Sequence, residues 1–222
     1  MISKLLSTAV KLYLRSQVEG AEYLKVKVIG GNKQILTGYI PQVLLSCSHA
    51  VYQGLCLSQV ELLGTDIAFN LPEVLKKQPL KLIEPVFVDL ELKLSAADLQ
   101  ASVDSSLLQS GISDLWQMIL ATEDLLTDRT VEWITIAIAN QELHLTGIYL
   151  DAAKKIHQLT LSTGISLADS HTLCLSQLKI VDASSTEEIN ELKIDLGTDI
   201  AIEKLIVEPE KILCAGKIRI NS

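Results

Sequence analysis

Aromatic residues are scarce in this chain, 4% of 222, although hydrophobic residues reach 48%. The apolar mass is therefore Leu, Ile, Val and Ala. Positive charge is short as well: 19 Lys and Arg stand against 27 Asp and Glu, for a formal net charge of −8. A general nucleic-acid binder needs a basic face for phosphates, so that class is set aside. The negative charge also keeps a greasy chain in solution. No uninterrupted apolar run reaches the roughly 18 residues of a membrane span. Lys4, Lys11 and Arg15 interrupt the stretch that a signal peptide would keep apolar, and no Ala-x-Ala site follows. The expectation is a cytoplasmic protein.

Cysteine chemistry is thin. Cys47, Cys56, Cys174 and Cys214 include no C-x-x-C pair, so neither zinc nor thioredoxin-like chemistry is expected. Three of them lie in apolar strand-like runs and read as buried small hydrophobes. His49, His144, His157 and His171 show no metal-ligand spacing; the nearest pair, Cys47 and His49, is one strand step apart on one face. No G-x-S-x-G, P-loop, G-x-G-x-x-G or H-E-x-x-H is present. No cofactor, no metal and no enzyme activity are expected.

What is present is pattern. Residues 2–17 read as an amphipathic helix, with Ile2, Leu5, Leu6, Ala9, Val10 and Tyr13 on one face and Lys4, Lys11 and Arg15 on another. Such a helix packs on a sheet or lies on a membrane surface, where Lys4, Leu5, Lys11 and Arg15 would make the contact. From Leu24 the period becomes two. Strands are expected at 24–28, 34–40, 43–52, 55–63, 66–69 and 86–94. Ser95 is a helix N-cap, and Asp98 completes a capping box. Leu99, Val103 and Leu107 form the stripe of that helix, which Gly111 should end. A second helix over about 112–126 carries Ile112, Leu115, Trp116, Ile119 and Leu120. Strands resume at 131–139, 142–149, 159–167, 173–181, 192–206 and 211–220, with 182–190 as a polar loop.

The chain also resembles itself. Leu55-Cys56-Leu57-Ser58-Gln59-Val60 returns as Leu173-Cys174-Leu175-Ser176-Gln177-Leu178. Leu63-Gly64-Thr65-Asp66-Ile67-Ala68-Phe69 returns as Leu196-Gly197-Thr198-Asp199-Ile200-Ala201-Ile202, and Leu36-Thr37-Gly38 as Leu145-Thr146-Gly147, in the same order. In the first pair the apolar phase slips by one residue at Ser-Gln, which a β-bulge would absorb. Asp66 and Asp199 read as turn residues bonded to their own backbone. The expected architecture is α+β: one domain over 1–222, a long bent antiparallel sheet wrapped around one or two helices. Its two pseudo-repeat halves, about 20–94 and 131–222, are joined by a helical segment, about 95–128, and preceded by the N-terminal helix.

Three stretches resemble a known family. Leu14-Arg15-Ser16-Gln17-Val18-Glu19-Gly20-Ala21-Glu22 is one. Gly54 to Leu62 followed by Asp66-Ile67 is the second. Pro85-Val86 through Leu94-Ser95-Ala96-Ala97-Asp98-Leu99 is the third. The chain is similar here to the bacterial LmeA-like phospholipid-binding proteins. The resemblance implies a fold like the tubular lipid-binding domains, with an acyl chain or phospholipid in a groove. Candidate groove residues are Val86, Val88, Leu90 and Leu92 on the strand, and Leu99, Val103, Leu107 and Trp116 on the helices. The expected partner is a lipid or another elongated apolar molecule, with peripheral membrane contact. The alternative is a ligand-free scaffold that binds another protein through strand edges or the N-terminal helix.

Overall fold

A computed structural model describes Arg15 and residues 18–122, 130–151, 153–183 and 185–221. The expected N-terminal helix, with Lys4, Leu5 and Lys11, falls outside these residues; Arg15 itself is helical and exposed. The described residues form two antiparallel sheets and four helices. This corrects the expectation of one long sheet.

The first sheet has six strands. They are β1 (Tyr23–Ile29), β2 (Tyr39–Tyr52), β3 (Leu55–Ala68), β4 (Val86–Ser95), β10 (Ile200–Glu208) and β11 (Lys211–Ile220). Their order is β1-β2-β3-β4-β11-β10. The second sheet runs in sequence: β5 (Glu132–Ala139), β6 (Glu142–Leu150), β7 (Ile156–Asp169), β8 (Thr172–Val181) and β9 (Thr186–Asp195). Helix α1 (Asn32–Ile35) lies between β1 and β2, α2 (Leu71–Leu75) between β3 and β4, and α3 (Ala96–Ala101) and α4 (Ser106–Thr122) between β4 and β5.

Paired residues of an antiparallel ladder point to the same face. Register therefore sorts the first sheet row by row. Val28, Val43, Gly64, Val88 and Ile218 form one row; Val26, Leu45, Leu62, Leu90 and Gly216 form the next; Leu24, Cys47, Val60, Leu92 and Cys214 form a third. The alternate rows carry charge, as in Lys27, Leu44, Leu63, Asp89 and Lys217. One face is thus an apolar trough and the other faces water. Gly216 permits a bulge of β10 between Ile202 and Lys204: a Cβ there would stand 2.3 Å from the Ala201 carbonyl oxygen.

The second sheet buries Trp133, Ile136, Leu145, Leu159, Leu161, Leu178 and Ile180 against Leu99, Val103, Ile112, Trp116 and Ile119 of the helical segment. Trp116 meets Trp133 edge to face at 5.8 Å and 78°, a geometry that aligns ring edge with ring face. Short α3 joins the two sheets. Its capping box forms as read: the Asp98 N–H donates to Ser95 Oγ at 3.0 Å, and the Ser95 N–H donates to Asp98 Oδ2 at 3.0 Å. Ser58 of β3 donates its hydroxyl to the same carboxylate. Ser102 Oγ accepts from the Cys56 N–H at 2.8 Å. On the other side, Gln100 Oε1 accepts from the Ile136 N–H of β5 at 3.1 Å.

Several local readings change. Residues 34–40 are not one strand: α1 and a turn precede β2, and Gly38 takes φ +82° to make that turn. Gly111 does not end a helix. The break comes at 102–105, where Ser105 Oγ accepts from the Leu108 N–H at 3.1 Å and starts α4. A helical glycine costs about 1 kcal/mol, less than buried Ile112, Trp116 and Ile119 return through packing. Residues 182–190 are not all loop, since β9 begins at Thr186. As an edge strand it buries only Ile189 fully and pairs Glu188 with Lys179 at 3.1 Å.

The repeated segments take unequal places. Leu55 and Thr172 each follow a hairpin turn into β3 and β8, but Leu63–Ala68 ends β3 whereas Leu196–Ala201 crosses from β9 to β10. Strands β10 and β11 of the second half join the first sheet. The expected bulge is present in β8, where register slips opposite Ser162–Gly164 and Gln177 takes φ +50°. In β3 the register runs through Gln59 unbroken, and His49 of β2 takes φ +47° instead. Asp66 and Asp199 are held across the sheet rather than by their own backbone: Tyr39 donates its hydroxyl to Asp66, and Asn221 Nδ2 donates to Asp199 at 3.2 Å.

Candidate functional site

The end of the trough at the start of β4 is roofed, and an apolar groove lies under the roof. Residues 69–85 leave β3, turn through α2, and return across the sheet to β4. Leu80 and Leu82 of this flap face Val43, Leu62, Ile67, Val86 and Val88 across the groove. Ile40, Leu45, Gly64 and Ile220 complete the lining, so no polar side chain borders it. Gly64 forms part of the floor, where its missing side chain keeps the groove open.

Asn70 clamps the two arms of the flap together. It stands at the N-cap of α2 yet makes no side-chain cap. Its side chain turns to the returning strand instead: Nδ2 donates to the Pro79 carbonyl at 3.1 Å, and Oδ1 accepts from the Lys81 N–H at 2.7 Å. The Asn70 N–H donates to the Lys81 carbonyl at 3.2 Å, and the Ile83 N–H to the Ala68 carbonyl at 3.0 Å. Phe69 and Leu82 form an isolated bridge. The flap is tied to its surroundings by the Ile83 bond and by the Phe69 N–H, which donates to the Gly38 carbonyl at 2.9 Å; Leu80 and Leu82 add apolar contact.

With the flap down the groove encloses about 110 Å³. Sites for drug-sized ligands usually span about 300–1,000 Å³. Two larger depressions, about 260 and 380 Å³, carry charged groups such as Glu61, Glu91 and Lys204, or Glu142, Lys179 and Glu188. Neither offers an acyl chain a dry wall.

The expected groove residues divide. Val86 and Val88 line the groove. Leu90 and Leu92 sit on the next two rows of the same face, partly buried around Leu45, Cys47 and Val60. Leu99, Val103 and Trp116 belong instead to the core of the second sheet. Leu107 is 42% exposed. Of the helical candidates, Leu99, Val103 and Trp116 thus sit in the second core and not beside the groove. The flap residues Leu80 and Leu82 were missed. Pro79 and Pro85, which bracket them, were the available signal.

The cysteines behave as small hydrophobes. All four are free thiols. Burial pushes the Cys47 and Cys214 thiols up from their ordinary value, which keeps them protonated within the trough. His49 does not share a face with Cys47: it is exposed and lies 2.9 Å from Glu22 Oε2. Among the described residues no group of three His, Cys, Asp or Glu could hold a metal. No described helix is long and apolar enough to cross a membrane.

A family model of LmeA-like phospholipid-binding proteins matches residues 1–217. The chain belongs to this family. In this LmeA-like protein the matched span covers both sheets but for the last three residues of β11, and all the groove residues except Ile220. No curated protein and no solved structure matches the chain.

Proposed function

We propose that this LmeA-like protein binds a phospholipid non-enzymatically, with an acyl chain entering between the flap and the first sheet. The observation that carries the reading is the lining: a groove walled only by apolar side chains, continuous with an apolar trough along the Leu90 and Leu92 rows. Burial of hydrocarbon in such a trough contributes about 0.8 kcal/mol per methylene. The closed volume is too small for the ligand, so loading requires the flap to lift. Its few polar ties make that movement local.

The 110 Å³ volume also favours a second reading, a scaffold with no ligand whose partner adds to a strand that ends its sheet among the described residues, such as β1 or β9. Native mass spectrometry of gently purified protein, followed by organic extraction, separates the two. A bound species of phospholipid or fatty-acid mass is the expected result. A clean apo mass that persists after incubation with detergent-solubilised phospholipid would remove the lipid reading.

A further inference from the structure

We infer that the flap end of the six-stranded sheet is a docking surface for an anionic lipid bilayer, an inference that rests on the lipid reading above. Strand register brings one end of β1, β2, β3, β4 and β11 together at the flap. That end exposes an unusual set of large apolar side chains. Ile83 is 58% exposed and Phe87 62%, with Leu36, Leu75 and Ile220 also open to solvent. Scattered single hydrophobes are ordinary, but a group at one tip marks an interaction site. Ile220 both lines the groove and is exposed, so the tip and the groove are continuous.

Charge selects the occupant. Segments 30–38 and 70–85 carry Lys33, Lys76, Lys77 and Lys81 against Glu73 and Glu84, in a chain whose net charge is −8. All four lysines are exposed. Among the described residues no carboxylate pairs with them within 4.0 Å. The tip is thus the positive, apolar end of an acidic protein. A lysine near an anionic bilayer gains about 1 kcal/mol, and apolar side chains beside it enter the headgroup boundary. A second copy of this chain would meet like charge at the tip, which disfavours self-association there. The opposite end of the sheet is taken up by α3 and its bonds to β5.

The test is co-sedimentation of the full chain with phosphatidylcholine vesicles, with and without phosphatidylglycerol, at low and high salt. Three double variants are compared: Lys76→Gln with Lys77→Gln, Ile83→Ser with Phe87→Ser, and the distant exposed pair Leu150→Ser with Ile156→Ser. All six positions are exposed, so folding is checked by melting temperature rather than feared. Each lysine removed is expected to weaken binding to phosphatidylglycerol vesicles about fivefold at low salt, with the difference lost at high salt. The Ile83/Phe87 variant loses binding to both vesicle types, and the Leu150/Ile156 variant behaves as wild type. Unchanged vesicle binding in both tip variants overturns the inference. So does tip-dependent dimerisation without vesicle binding. Uptake of detergent-solubilised phospholipid tests the groove separately: tip variants retain it if both ideas hold, and vesicle docking without any lipid uptake sinks the groove reading alone.

Discussion

Replacing Gly64 with valine tests the groove most directly. Gly64 is buried on the groove floor, between Val43 of β2 and Val88 of β4. A Cβ there would stand 3.2 Å from Ile67 Cδ1 and 3.8 Å from Val86 Cγ1. The nearest atom is the flexible end of a side chain, so a small shift of Ile67 accommodates it. The rest of the valine side chain occupies the groove. A β-branched residue suits a strand, and removal of a mid-strand glycine contributes about 0.5–1 kcal/mol. That gain offsets the crowding, and the melting temperature should move by less than about 4 °C. Ligand binding should suffer far more. The added carbons displace two to three methylenes of an acyl chain, at about 0.8 kcal/mol each. The loss is about 2 kcal/mol, or about 30-fold in dissociation constant. The assay is titration of folded wild type and Gly64→Val with a fluorescent phospholipid delivered in detergent. Equal affinity in a variant of unchanged melting temperature would refute the assignment of the groove as the acyl site.

Asn70→Ala should unclamp the two arms of the flap: amide exchange at Lys81 rises, lipid uptake accelerates, and global stability falls by only about 1 kcal/mol. Trp116→Ala should cost about 3–5 kcal/mol in denaturant unfolding, because Trp116 is 3% exposed in the second core. Under conditions where that variant stays folded, lipid affinity should be unchanged; a selective loss of affinity would return the helix to the site. Asp98→Ala should remove about 2 kcal/mol, since it breaks the capping box and the Ser58 bond together. Burial raises the Asp98 pKa, but bonds from Ser58 and Ser95 outweigh it and hold the carboxyl below its ordinary value. Its stabilisation is therefore complete above the ordinary carboxylate pKa of about 3.9 and is lost as pH falls through the lower folded value. Acid unfolding of Asp98→Asn should lack that part of the pH dependence.

Much of the local structure was legible in the residues. Alternation marked β1, β4 and β7, because a strand with one wet face must alternate. The Ser95–Asp98 box and the turns at Gln53-Gly54 and Asn140-Gln141 were legible because caps and turns are satisfied by near neighbours. The family was legible from the same punctuation. The apolar trough followed too, since Val86, Val88, Leu90 and Leu92 had to share a face.

Other features are decided only by distant partners. Strands β10 and β11 look like any others, and nothing local tells them to return to β4 rather than extend β9. Strand β9 is polar because it is an edge, a property of its position in the sheet. Leu99, Val103 and Trp116 carry the same apolar stripe whether they line a groove or fill a core; only their packing on Trp133 and Leu178 settles it. Sequence thus determined which faces are apolar, because water acts on each residue where it stands. Tertiary structure decided which apolar faces meet, because that depends on what each surface finds across the molecule.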